Sequence, residues 1–234
     1  MTEDLNSTQK IKKKFCSSMP LIGDKAPSFS ADTTKGKINF PEDYRGKWVI
    51  LFSHPADFTP VCTSELFTFA QMTEDFRRLN TELVGLSVDS VSSHLAWLKS
   101  IEEEVRFKEQ HNVHIDYPVI ADIKMTVAKK YGMIHPAASD TKAVRAVFFI
   151  DPESVIRAIL YYPLTTGRNF QELKRLLMAL QTTDEHHVST PADWHPGDAV
   201  VVPAPTTLSG IKEAAENPQS GAECSTWYFC TKHL

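Results

Sequence analysis

The sequence predicts an α/β fold: a mixed sheet flanked by helices, followed by an extended C-terminal arm. Three observations carry this. Short apolar runs of strand type alternate with stretches whose apolar residues recur at helical spacing. Two such runs lie on either side of Asp151-Pro152, close enough to pair as a hairpin. Beyond Gln181 the alternation stops, and Pro191, Pro196, Pro203 and Pro205 mark an extended segment.

Taken in order, residues 1–19 form a polar extension with a lysine cluster (Lys10, Lys12, Lys13, Lys14), read as a solvated arm that also carries Cys16. Residues 20–181 form the α/β unit. Lys47 to Ser53 is an apolar strand between Gly46 and Pro55, and Leu66, Phe69, Ala70, Phe76 and Leu79 follow at helical spacing with charged residues between them. Leu83 to Asp89 is a second buried-type strand. Ser93 to about Glu109 reads as a helix with Leu95, Leu98 and Ile101 on one stripe. Tyr117 to Ile120 is a short strand, and Met125 to Tyr131 a short helix stopped at Gly132. Ala146 to Ile150 and Ile156 to Tyr162 make the hairpin, and Phe170 to Leu180 closes the unit as an amphipathic helix. Residues 182–234 are the arm, with a short helix around Ser209 to Glu216 and an aromatic tail of Trp227, Tyr228 and Phe229. It has little core of its own and is expected to pack on a partner subunit. A thioredoxin-like topology is one arrangement of this kind, but periodicity alone does not select it.

Composition narrows the function. A net charge of −4 argues against a global basic field for nucleic acid. No apolar run approaches the roughly 18 residues a membrane span needs. The polar opening Met1 to Asn6 lacks the apolar core of a secretory signal, so a cytoplasmic location is expected. Of the four cysteines, Cys16, Cys62, Cys224 and Cys230, no two form a Cys-x-x-Cys pair. In a reducing compartment, thiols so unequally spaced are more often redox-active than structural. Cys224 and Cys230 with His233 offer too few ligands for a tetrahedral metal site, so no metal and no cofactor are expected.

The stretch from Phe52 to Leu66 joins the first strong strand to the first strong helix. Thr59 suits an N-cap and Pro60 the first helical position, which puts Cys62 third in the helix. Its sulfur would lie near unpaired N–H groups and the positive end of the helix dipole. Such surroundings favour the thiolate, the nucleophilic form of cysteine. When a thiolate attacks a peroxide in line, the departing oxygen develops negative charge and needs donors. The Thr59 hydroxyl, the first-turn backbone and an arginine could supply them, with Glu65 orienting the arginine.

Pro55-x3-Thr59-x2-Cys62 matches the active-site signature of the peroxiredoxins, and the residues from Ser53 to Leu66 resemble the one-cysteine subfamily. Further matches follow in the same order: Ser93 to Trp97, Arg145 to Asp151, Thr165 to Phe170, and Thr190 to Asp198. The resemblance covers roughly residues 20 to 207 and implies a thioredoxin-like fold. It implies Cys62 as the peroxidatic cysteine, activated by Thr59 and Arg145, which also bind the peroxide. Pro55 would shield the sulfur from water, Glu65 would position the arginine, and Arg168 and His54 would lie at the substrate. The implied substrates are hydrogen peroxide and organic hydroperoxides. The implied partners are an external thiol reductant, thioredoxin-like or small, and a second copy of the chain in a homodimer, with a decameric ring as the larger alternative.

Two departures matter. Some one-cysteine members carry a lipase-type Gly-x-Ser-x-Gly motif; Asp43 to Trp48 here contains no serine, so no lipase activity is expected. Cys224 and Cys230 lie in a tail similar to that of members with extra C-terminal cysteines. A sulfenic acid at Cys62 condenses with any thiol that reaches it. The resemblance favours Cys230 as the resolving thiol, then Cys224, or a shuttle between them. An oligomeric holdase or peroxide sensor is the competing reading, and a general disulfide oxidoreductase is disfavoured by the absence of Cys-x-x-Cys.

Overall fold

Trp48–Ser53 is six residues with every side chain buried, the pattern of a strand covered on both faces. It is β3, near the middle of a seven-stranded sheet in the computed structural model, which describes residues 19–109, 112–217 and 220–234. The N-terminal extension as far as residue 18, with its lysine cluster and Cys16, lies outside the described residues. The other strands are β1 (Phe29–Thr33), β2 (Gly36–Phe40), β4 (Thr81–Ser87), β5 (Val119–Ala121), β6 (Arg145–Ile150) and β7 (Ile156–Tyr162). Their order is β2-β1-β5-β4-β3-β6-β7. Strand β3 runs parallel to β4, and β4 to β5; β3 is antiparallel to β6, and β6 pairs antiparallel with β7 as the hairpin expected around Asp151-Pro152. The β1–β2 hairpin at the edge was not anticipated, because its five-residue strands mix buried and exposed positions.

Parallel neighbours need crossovers, and helices supply them. Helix α1 (Pro60–Arg78) links β3 to β4, and α2 (Val91–Glu104) links β4 to β5. Phe52 stacks on Phe69 of α1 with ring centroids 4.3 Å apart, which seats α1 on one face of the sheet. The opposite face contributes Leu51, Leu86, Phe148 and Ile150 to a cluster with Val127 and Ala128 of α3 (Thr126–Lys130). Gly132 ends that helix at φ +66°, a conformation that suits glycine. Gly85 has a different reason: a Cβ there would come within 3.2 Å of the Phe52 ring. The sheet is mixed and helix-flanked, with the thioredoxin-like topology.

A second compact unit begins at Asn169. Its first helix is α4 (Phe170–His186), capped by the Asn169 side chain, which accepts from the N–H groups of Gln171 and Glu172. The sequence places this helix with residues 20–181, whereas the structure groups it with the C-terminal segment. The reason is its own small core: Ala179 packs with Val188, Trp194 and Val200, and Arg175 donates to the Trp194 carbonyl at 2.9 Å. The tail is also more than an extended arm. Strands β8 (Val200–Val201), β9 (Glu223–Thr226) and β10 (Phe229–Lys232) form an antiparallel sheet in the order β8-β10-β9, with α5 (Leu208–Glu216) between β8 and β9 in sequence. Among the described residues no helix is long and apolar enough to cross a membrane.

Candidate active site

The site is built on the turn from β3 into α1. Phe58 takes a left-handed φ of 54°, a strained backbone state for a bulky residue, immediately before the helix. Thr59 follows in extended conformation as the N-cap residue, and Pro60 occupies the first helical position. The Thr63 N–H donates to the Thr59 carbonyl at 2.9 Å, closing the first turn. Cys62 is therefore third in the helix, where backbone N–H groups lack intrahelical acceptors and the helix dipole is positive. The Thr59 side chain makes no capping bond. Its hydroxyl donates instead to the Ala56 carbonyl at 2.8 Å, so the helix start rests on Pro60 and the loop geometry rather than on a side-chain cap.

Cys62 is fully buried, and its sulfur accepts a hydrogen bond from Arg145 Nη1 at 3.3 Å. Glu65 lies one helical turn further on, on the same side of α1. Its carboxylate receives Arg145 Nη1 at 2.7 Å, Arg168 Nη2 at 2.7 Å, and both Nε and the backbone N–H of Arg168 at 2.9 Å. Arg145 spends its remaining donors on the Leu164 carbonyl, and Arg168 Nη1 donates to the carbonyls of Ser53 and Ala146. Burial alone would push the Glu65 carboxyl up. The charge and hydrogen bonds of Arg168, with Arg145 behind them, outweigh burial and hold it below its ordinary value. Two guanidinium groups against one carboxylate leave one positive charge uncompensated in a buried site. That excess lies against the Cys62 sulfur, through Arg145 Nη1.

The structure thus brings together Cys62, Arg145, Glu65 and Arg168, which span more than a hundred positions of sequence. Arg168, expected at the substrate, donates from its side chain to Glu65 and to the carbonyls of Ser53 and Ala146. Pro55 is buried in the loop before Thr59.

His54 sits in a neighbouring cluster that the sequence did not reveal. Its Nε2 lies 3.0 Å from Asp57 Oδ1, and His94 Nδ1 lies 2.8 Å from the other oxygen of the same carboxylate. His94 Nε2 reaches the Ile120 carbonyl, and the Asp57 N–H donates to Asp89. Burial pushes His54 below its ordinary value, overriding the pull of Asp57. Burial would raise Asp57, but the hydrogen bonds from His54 and His94 hold it well below the carboxylate range. A neutral His54 that donates from Nε2 keeps its lone pair on Nδ1, a fully buried atom without a hydrogen-bond partner. These three residues offer donor atoms within 4.8 Å of one another, the one grouping of metal-ligand type among the described residues. The hydrogen bonds account for the arrangement as it stands. Asp57 is three residues from His54, but nothing local links either to His94, 37 positions later in α2.

The tail cysteines stand apart in chemistry. Cys224 and Cys230 face each other across β9 and β10 and are joined as a disulfide, which removes both as thiolate ligands for a metal with His233. Cys62 is the free cysteine among the described residues.

Comparison with known proteins agrees with this geometry. The AhpC/TSA family matches residues 22–159, and the C-terminal domain of 1-Cys peroxiredoxin matches residues 179–217. A peroxiredoxin of Methanosarcina mazei is 60% identical over 214 residues, covering 92% of this chain and 98% of its own. One from Aquifex aeolicus is 51% identical, covering 93% and 98%. The solved structure of a yeast mitochondrial 1-Cys peroxiredoxin superposes with a TM-score of 0.80 at 39% identity, covering 92% of this chain and all of that one. With a helix-start cysteine bonded to a buried arginine on a thioredoxin-like sheet, the chain belongs to the AhpC/TSA family and is a peroxiredoxin, a thiol-dependent peroxidase.

Proposed function

We propose that Cys62 is the peroxidatic thiolate and that Arg145 is the charge that holds it ready. The observation carrying this reading is the 3.3 Å contact between Arg145 Nη1 and the Cys62 sulfur, inside a cluster with one positive charge in excess. The sulfur attacks the terminal oxygen of hydrogen peroxide or an organic hydroperoxide, and the O–O bond breaks. Water or an alcohol leaves after taking up a proton, and Cys62 is left as a sulfenic acid. Arg145 and the first-turn N–H groups face the charge that develops on the departing oxygen, with Thr59 at the pocket edge. Glu65 and Arg168 position Arg145, while Pro55 limits water and the free Nδ1 of His54 offers an acceptor nearby.

Regeneration is assigned to the tail. The sulfenic acid condenses with the thiol of Cys230, releasing water. Cys224 then displaces Cys62, leaving the Cys224–Cys230 disulfide, which is the pairing present in this structure. An external thiol completes the cycle, and a homodimer, or a ring of dimers, is the expected assembly. Rapid mixing of the reduced protein with one equivalent of peroxide tests both halves. Peroxide consumption is expected to vanish in Cys62→Ser. Mass mapping is expected to find Cys62 linked transiently to Cys230, or to Cys224 if the order is reversed. Sulfinic acid at Cys62 with both tail thiols still reduced would sink the relay, and undiminished turnover in Cys62→Ser would sink the whole reading.

A further inference from the structure

The tail sheet and α5 enclose a cavity of about 430 Å³, within the roughly 300–1,000 Å³ range of small-molecule sites. Both sulfur-bearing residues of the disulfide, Cys224 and Cys230, line it. Helix α5 has no buried residue, and the core of its unit is made elsewhere, by Ala179, Val188, Trp194 and Val200. Yet α5 is amphipathic: Ile211, Ala214 and Ala215 fall on one stripe, and Lys212, Glu213 and Glu216 on the other. The apolar stripe lines the cavity. Val202, Pro203 and Trp227 extend the wall, and among the described residues that line it none is Asp, Glu, Lys or Arg.

We propose that this cavity is the reductant site of the tail disulfide and that it selects an uncharged, largely apolar dithiol. The inference rests on the relay reading above and adds the chemical class of the electron donor. A carboxylate or ammonium entering this cavity would lose hydration without finding a partner, whereas an alkyl chain gains burial against α5 and Trp227. One thiolate of the donor attacks a tail sulfur, the Cys224–Cys230 bond breaks, and a mixed disulfide forms. The donor's second thiol attacks that mixed disulfide and leaves as a cyclic disulfide. Its two electrons and two protons end on the thiols of Cys224 and Cys230.

Dihydrolipoamide and dihydrolipoate test this directly, since they share a dithiol and an alkyl chain and differ in a terminal charge. Each is mixed anaerobically with the oxidised full-length protein, without peroxide, and tail thiols are counted by alkylation and mass. Dihydrolipoamide is expected to react faster by about tenfold or more, the cost of one poorly solvated charge. Ala215→Asp should widen that advantage, because its carboxylate repels that of dihydrolipoate. Ala215→Lys should invert it, a result that simple disruption of α5 would not give. Equal rates in the unmodified protein, as expected if a second copy of the chain fills the cavity, overturn the proposal, and so does a lysine variant without inversion. Failure of the relay itself shows elsewhere, as undiminished peroxide turnover when Cys224 and Cys230 are both replaced by serine.

Discussion

Two buried carboxylates in this protein each bridge a pair of basic side chains, and they behave differently because the bases differ. Glu65 binds Arg145 and Arg168, and Asp57 binds His54 and His94. Arginine stays protonated at any pH the protein meets, so the Glu65 cluster keeps its excess positive charge whatever the solution does. Histidine does not, and burial holds His54 in its neutral form. The arginine pair can therefore serve as a fixed field for a thiolate. The histidine pair is a hydrogen-bonded brace between the active-site loop and α2, helped by Trp97, whose ring N–H donates to Thr63 in the first turn of α1.

The largest effect should come from breaking the first cluster. Glu65→Gln keeps the shape but leaves two buried guanidinium groups without an anion, and removing one partner of such a group costs about 3–5 kcal/mol. Urea denaturation is expected to show that loss, and a change below about 1 kcal/mol would mean that Glu65 does not hold the arginines together. Replacing the charge aimed at sulfur comes next. Arg145→Met should slow the reaction with peroxide by about 10²–10³-fold, the usual cost of one preorganised donor. Stopped-flow peroxide consumption measures it, and a rate within a fewfold of the parent would remove Arg145 from the mechanism.

The smallest effect sharpens the comparison through pH. His54 is depressed in the folded chain, so below the ordinary value of 6.5 the unfolded chain binds a proton that the folded chain refuses. Stability from this ring is thus complete above pH 6.5 and falls below it, by at most about 1.4 kcal/mol per pH unit. Glu65 is also depressed, but its contribution is complete above its ordinary 4.5 and is lost only as pH falls through its folded value. Denaturation midpoints measured between pH 7 and 5 should drop in the parent chain and drop less in His54→Gln. Parallel curves for the two would show that His54 is not the group being titrated.

Much of the catalytic half was legible in the sequence because it is local. The β3 run is continuously apolar, Pro60 prefers the first helical position, and two residues later a cysteine must sit among unpaired N–H groups. Arg145 could be matched to a family pattern, but its contact with Cys62 spans 83 positions and no periodicity encodes that distance. The Thr59 hydroxyl illustrates the limit on a smaller scale: its residue type announced a cap, and the loop offered the Ala56 carbonyl instead.

By itself, then, the sequence determined the order of strands and helices from β3 to α4, the register of the helix start and the identity of the nucleophile's neighbours along the chain. These depend on side-chain periodicity and on backbone preferences that act within one turn. Only the tertiary structure decided that Glu65 grips two arginines, that Asp57 grips two histidines, and that Cys224 and Cys230 pair across a small sheet beside an apolar cavity. Those outcomes depend on which distant groups meet inside the fold, where leaving a charge or a donor unpaired costs more than any local preference can supply.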